Sequence, residues 1–269
     1  MWFDITIFRF AIALAGLLMM LMPVSAARAI CQPVATLPGG LLHKAAVTPV
    51  AAPAAGSLRL TFLGHSSFLI ESAEDVAAVT DYNGYLRPDR LPDIVTMNNA
   101  HSTHYTNHAD PGIRHVLRGW DPQGGVALHD VTLRDMRVRN VPTNVRDFGG
   151  TRMNGNSIFV FETGGLCVAH LGHLHHTLTD EHLAELGVID VLLVPVDGSY
   201  TMAQGYMVEV IDQIQPPLVI PMHYFNSATL AGFLQRMGNR YEVQTAESET
   251  VTLSRQTLPW RKILILPGQ

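Results

Sequence analysis

The chain has 269 residues, 47% hydrophobic and 15% charged, enough for one large globular domain with its own core. Its formal net charge is -5 and its isoelectric point is near 6.2, which excludes the basic footprint of a nucleic-acid binder. Thirteen histidines are the compositional oddity, and several fall in short clusters.

The first 29 residues read as a signal peptide. "AIALAGLLMMLMPV" has the length of a signal core and is short for a membrane span. Ala27 and Ala29 supply the small residues of a cleavage site. The mature protein is therefore expected to be exported, into the periplasm, with no stable membrane span after cleavage. An oxidising compartment leaves open whether Cys31 and Cys167, the only two cysteines, pair. Residues 30–56 are rich in Ala, Pro and Gly and read as a linker or surface arm. The folded domain is expected over 57–269.

Within it, "LRLTFLGHSSFLIES" predicts two strands joined by a tight Gly-His-Ser-Ser connection. "DVAAVTDYNGY" predicts a strand ending at Asp81, and "DIVTM" a buried strand entering the loop "NNAHSTHYTNHAD". Strand-like runs follow at 126–129, 131–141, 157–162 and 166–172. "TDEHLAELG" predicts a short helix with Thr179 as N-cap and Gly187 as its stop. "DVLLVPV" is a further buried strand. "YTMAQGYMVEVIDQIQP" is an amphipathic helix stopped by Pro216, and "LVIPMHYF" a strand ending at His223. "SATLAGFLQRMG" is a last helix, followed by strands near 250–253 and 262–266. Early strands followed by strand–helix alternation predict two sheets with helices outside.

The candidate ligands lie where strands end. His101 and His104 follow "DIVTM", His170 and His173 follow "LCVA", and His223 follows "LVIPM". Strand ends share a rim, so residues distant in sequence can converge there. Neutral imidazole suits zinc, copper, iron or nickel.

Five segments in order, "LTFLGHSSFLIE", "TDYNGY", "AHLGHLHHTLTDEH", "DVLLVPVDGSYTM" and "VIPMHY", resemble the metallo-β-lactamase fold superfamily. In particular they resemble its branch of L-ascorbate-6-phosphate lactonase-like and N-acyl-phosphatidylethanolamine phospholipase D-like hydrolases. The resemblance covers about residues 58–225. It implies an α+β fold, a four-layer αββα sandwich of two mixed β-sheets flanked by helices. It also implies a metal-dependent hydrolase, in which the ion lowers the pKa of a bound water to about 7 and so provides hydroxide. The expected small-molecule substrate is an ester, lactone or phosphodiester rather than a β-lactam.

The family's loop reads H-x-H-x-D-H. Laid on this chain without gaps, it falls on Asn99-Ala-His101-Ser-Thr103-His104. A gapped alternative takes His101, His104 and His108 as the triad. The ungapped alignment implies one subsite of Asn99, His101 and His170, weakened by its Asn. It implies a second of Thr103, His104, His173 and His223, where His173 stands in the place of a bridging Asp. One zinc ion is expected rather than two, with manganese or iron as other candidates. His65 and His176 match positions usual in the branch and are expected to line the pocket, with Asp81 orienting a ligand histidine. His108, His115, His129, His175 and His182 are expected to be incidental. The replacements at 99, 103 and 173 also leave open a metal- or ligand-binding protein that kept the fold without hydrolysis.

Overall fold

The computed structural model describes residues 51–98, 101–147 and 149–268. In chain order the strands are β1 (Ser57–Gly64), β2 (Ser67–Ser72), β3 (Ala77–Val79), β4 (Ile94–Met97), β5 (His115–Arg118), β6 (Asp130–Leu133), β7 (Met136–Asp147), β8 (Gly150–Thr163) and β9 (Leu166–His170). Helix α1 (Asp180–Leu186) leads to β10 (Val191–Pro195), α2 (Gln204–Ile214) to β11 (Leu218–Met222), and α3 (Ser227–Met237) to β12 (Glu242–Thr245), β13 (Thr250–Ser254) and β14 (Lys262–Ile265). One sheet has the order β13-β1-β2-β3-β4-β5 and the other β12-β14-β11-β10-β9-β8-β7-β6. Both are mixed: β3, β4 and β5 run parallel in the first, and β9, β10 and β11 in the second.

Strict alternation builds the layers. Along β8, Phe159 and Phe161 face the first sheet, while Ile158 and Val160 face the helices. Strand β10 does the same with Val191 and Leu193 against Leu192 and Val194. Successive side chains point to opposite faces of a strand, so a continuous apolar run serves two cores at once. The inter-sheet core adds Leu58, Leu60, Phe68 and Ile70 from β1 and β2. The outer core packs Met207, Ile211 and Phe233 of α2 and α3 over the second sheet. This is the expected α+β sandwich. Over the outer face of the first sheet, among the described residues, the cover comes from loop side chains: Tyr82, Tyr105, Ile113 and Trp120.

Helix α1 begins as the sequence predicts. The Thr179 hydroxyl accepts from the His182 N–H, and Gly187 caps the end at φ 67°. The His182 ring completes a capping box that Glu or Gln usually makes. Residues 126–129 form no strand: Val126 and Leu128 are exposed, and the ladder starts at Asp130. The β7–β8 hairpin runs beyond the predicted 131–141 and 157–162, pairing as far as Asp147 with Gly150. Its distal half is mostly polar, but burial still alternates along β7, with Thr143 and Val145 buried, and Asn156 Nδ2 donates to Thr143 Oγ1 at 2.7 Å across the pair. Residues 1–50, which include the predicted signal peptide and Cys31, and Asn99 lie outside the described residues. Cys167 is buried on β9 and is not a free thiol.

Candidate metal centre

The ends of β3, β4, β9, β10 and β11 and the β1–β2 turn meet at one rim. From the turn comes His65, from beyond β3 Asp81, and from the loop after β4 His101 and His104. His173 follows β9, Asp197 follows β10 and His223 follows β11. The backbone is bent to aim several of them. His65, Asp81 and His223 all take positive φ, at 53°, 43° and 54°, a region costly for residues with a Cβ. The His223 N–H donates to the His65 carbonyl at 2.7 Å, joining two of these bends. Gly172 also sits at positive φ, and a Cβ there would collide with the side chains of Asn98 and Asn156.

Among the described residues, two groups of side chains have ligand atoms within 4.8 Å of one another: His65, His104 and His223, and His101, His104 and His173. His104 belongs to both. Its Nδ1 lies 2.6 Å from Asp81 Oδ2, and the Asp81 Oδ1 accepts from Asn98 Nδ2 at 3.1 Å. The other face of Asn98 accepts the Ser157 N–H at 2.9 Å, tying the loop to the second sheet. His223 has the same support: its Nδ1 lies 3.1 Å from Asp197 Oδ1. The Asp197 Oδ2 in turn accepts the backbone N–H groups of Ser199, Tyr200 and Thr201.

A carboxylate accepts, so each of these two rings carries its proton on Nδ1. That leaves the Nε2 lone pairs of His104 and His223 facing each other at 3.2 Å. Two lone pairs at that distance repel unless a cation lies between them. Nitrogens bound to one zinc at about 2.0–2.1 Å sit at a similar separation. The charge balance points the same way. Burial acts to raise the Asp81 carboxyl, but the His104 and His170 rings and hydrogen bonds from His104 and Asn98 outweigh it and hold it well below the usual range. At Asp197 burial is likewise outweighed by hydrogen bonds from His223 and Thr201. The ion-pair partners of both carboxylates are histidines. Burial and neighbouring rings push His65 down to about 3 and His101 to about 4, so these rings are uncharged at neutral pH. Two buried negative charges behind neutral imidazoles suit a divalent cation. The buried Nε2 atom of His65 has no hydrogen-bond partner among the described residues. The donor set fits an ion.

Not every expected residue arrives at this point. His170 is buried, but its Nε2 donates to the Ser66 carbonyl at 2.8 Å and its Nδ1 accepts the Gly172 N–H at 3.2 Å. Both ring nitrogens are spent inside the protein. His176 is spent in the same way: Nδ1 donates to the Thr177 carbonyl at 2.7 Å and Nε2 accepts the Asn144 N–H at 3.0 Å. It fastens the segment after β9 to β7 and does not line the pocket. Thr103 binds the His101 Nδ1 at 3.0 Å. His108 is exposed and belongs to neither group, so the gapped triad does not assemble. His65, expected as a lining group, belongs to a ligand group itself. Sequence reasoning missed Asp197 and His175. Asp197 ends "DVLLVPV" just as Asp81 ends its strand, and that parallel was the available signal.

A beta-lactamase superfamily domain model matches residues 59–223 of the 269. A UPF0173 metal-dependent hydrolase of Opitutus terrae is 30% identical over 196 residues, covering 63% of this chain and 86% of its own. Another from Methanosarcina mazei is 25% identical over 193 residues, covering 62% and 83%. A Thermotoga maritima structure described as a Zn-dependent hydrolase of the metallo-β-lactamase superfamily superposes with TM-score 0.58 at 29% identity, over 79% of this chain and all of its own. The matched span runs from β1 to His223 and so contains every residue of the histidine rim; the chain belongs to the metallo-β-lactamase superfamily.

Proposed function

We propose that this metal-dependent hydrolase is exported, holds one zinc ion at the rim, and cleaves an ester, lactone or phosphodiester that carries an apolar group. The observation that carries the reading is the pair of carboxylate-backed imidazoles, His104 and His223, with their Nε2 atoms 3.2 Å apart. When bound, the ion supplies Lewis acidity and a water nucleophile active near neutral pH. The protein supplies the rest. Asp81 and Asp197 hold two ligand rings in one tautomer and orientation. The strained turns at His65 and His223 keep the His65 and His223 rings in place before substrate arrives.

The mouth supports the substrate class. Tyr200 and Phe225 are 62% and 56% exposed, with ring centroids 5.6 Å apart. Phe225 lies 5.5 Å from the His223 ring and 6.0 Å from the His65 ring, and Tyr200 lies 6.2 Å from the His101 ring. Two large aromatics left open beside the reacting centre suit an apolar or planar substituent next to the scissile bond.

The test is a panel of p-nitrophenyl esters, aliphatic lactones and bis(p-nitrophenyl) phosphate, assayed before and after chelation and again after adding back zinc, manganese or iron. Turnover of at least one class, lost on chelation and restored by metal, is the expected result. Equal turnover by protein shown to be metal-free would sink the metal mechanism. No turnover of any class, with one ion bound, would instead favour a binding protein, the reading suggested by Thr103 binding His101 rather than serving as a ligand. Export has its own check. Mass spectrometry of the protein from its native host should find the mature N-terminus at or near Ile30, and retention of Met1 would refute cleavage.

A further inference from the structure

What stands behind each imidazole decides what its front nitrogen can do. Behind His104 and His223 stand carboxylates, which accept. Behind His173 stands His175, and its state is set by the main chain. The Arg146 backbone N–H donates to His175 Nδ1 at 2.7 Å. An amide N–H cannot accept, so His175 Nδ1 is bare and its proton lies on Nε2. That Nε2 lies 2.6 Å from His173 Nδ1 and donates to it. His173 Nδ1 is therefore the acceptor, and the ring's own proton is on Nε2. This Nε2 is buried and has no partner among the described residues. The His173 ring is fixed in place as well: its backbone N–H donates to Asn156 Oδ1 at 2.8 Å, and its centroid lies 4.9 Å from that of His104 and 5.2 Å from that of His223.

We infer that His173 is a hydrogen-bond donor aimed into the pocket, not a metal ligand, and that its Nε2–H binds the substrate oxygen on which negative charge develops. The inference rests on the hydrolase reading for the substrate, but not for the tautomer. Ligation by His173 Nε2 would move its proton to Nδ1, opposite His175. His175 would then face two donors and would have to be an imidazolate, or the Arg146 bond would have to break. The ion is left to His104 and His223, with His65 as the third imidazole of their group. In ester hydrolysis, the water oxygen bonds to the acyl carbon and the carbonyl π pair moves onto its oxygen. That pair returns as the carbon–oxygen bond to the alcohol breaks, and the departing alkoxide takes up the proton released by water. The His173 Nε2–H is placed for the intermediate oxygen, and a preorganised donor there contributes about 10²- to 10³-fold in rate. The position where relatives of this branch are expected to hold a bridging carboxylate thus has its polarity reversed.

The deciding measurement is long-range 1H–15N correlation NMR of the histidine rings in 15N-labelled protein, metal-free and with one equivalent of zinc. His173→Gln identifies the resonance. A protonated Nε2 and bare Nδ1 on His173, unchanged by zinc, is the expected result. A protonated Nδ1, or a His173 Nε2 that shifts on zinc binding as a ligand does, overturns the inference. Metal analysis gives a second readout. His173→Ala should keep the wild-type zinc content, and loss of the ion would overturn the inference. On p-nitrophenyl acetate, kcat of His173→Ala should fall about 100-fold with little change in KM. His173→Gln, which restores an amide donor, should recover part of it. If wild-type protein turns over no ester, the functional reading fails, and the tautomer and zinc content still decide this inference.

Discussion

Replacing His223 with alanine is expected to strip the ion from the protein and abolish metal-dependent turnover, while wild type retains about one zinc-like ion per chain after moderate dialysis. The stoichiometry follows from His104. Its Nδ1 is held by Asp81 at 2.6 Å, so one nitrogen remains, and both histidine groups need it. An imidazole nitrogen has one lone pair and serves one cation. Of the two groups, the one with His223 has two rings oriented by carboxylates, and removing His223 leaves only His65 and His104 in it. Asp197→Asn makes a graded comparison. It keeps every ligand but weakens the hold on the His223 ring, and metal affinity should fall about 10- to 100-fold. Inductively coupled plasma analysis of the dialysed proteins reads both results, with circular dichroism to confirm folding. Two tightly held ions in wild type, or full retention in a folded His223→Ala protein, would show that the centre is built differently.

The strand ends were legible because burial on both faces leaves a recognisable apolar run, and the first polar residue after it must sit at the rim. That rule finds His223 and would have found Asp197, each directly after its strand, and it brings the Asp81 segment and the loops carrying His104 and His173 to the rim. What it does not encode is orientation. His170 ends a strand and His173 follows it by three residues, yet His170 turns inward to the Ser66 carbonyl while His173 faces the pocket. The difference depends on positive φ at Gly172, on the Ser66 carbonyl 104 residues from His170, and on the Asn156 side chain 17 residues from His173, which accepts the His173 backbone N–H. His175 read as incidental because its role passes through the backbone of Arg146, 29 residues away in the chain. Ligand identity was thus partly legible; tautomer was not, since it is a property of long-range hydrogen bonds.

The largest stability loss is expected from Phe161→Ala. Phe161 is fully buried in the core between the two sheets, beside Met136, Val138 and Val168. Truncation removes the transfer free energy of the ring and leaves a void that paired strands on both sides cannot close, since β8 is fixed by its ladders to β7 and β9. Substitutions of this kind cost about 3–5 kcal/mol. For a domain of this size each kcal/mol lowers the melting temperature by about 2–4 °C, so the expected fall is roughly 6–20 °C. Met153 lies on the same strand but is 66% exposed, and Met153→Ala should change stability by less than about 0.5 kcal/mol. Phe161→Leu should fall between, because a branched aliphatic side chain fills part of the void. Thermal and urea unfolding of the three variants, each with its zinc content matched to wild type, separates packing from metal linkage, since a bound ion stabilises the folded state on its own account. A Phe161→Ala protein that melts within about 2 °C of wild type would mean that this residue does not hold the two sheets together as its burial indicates.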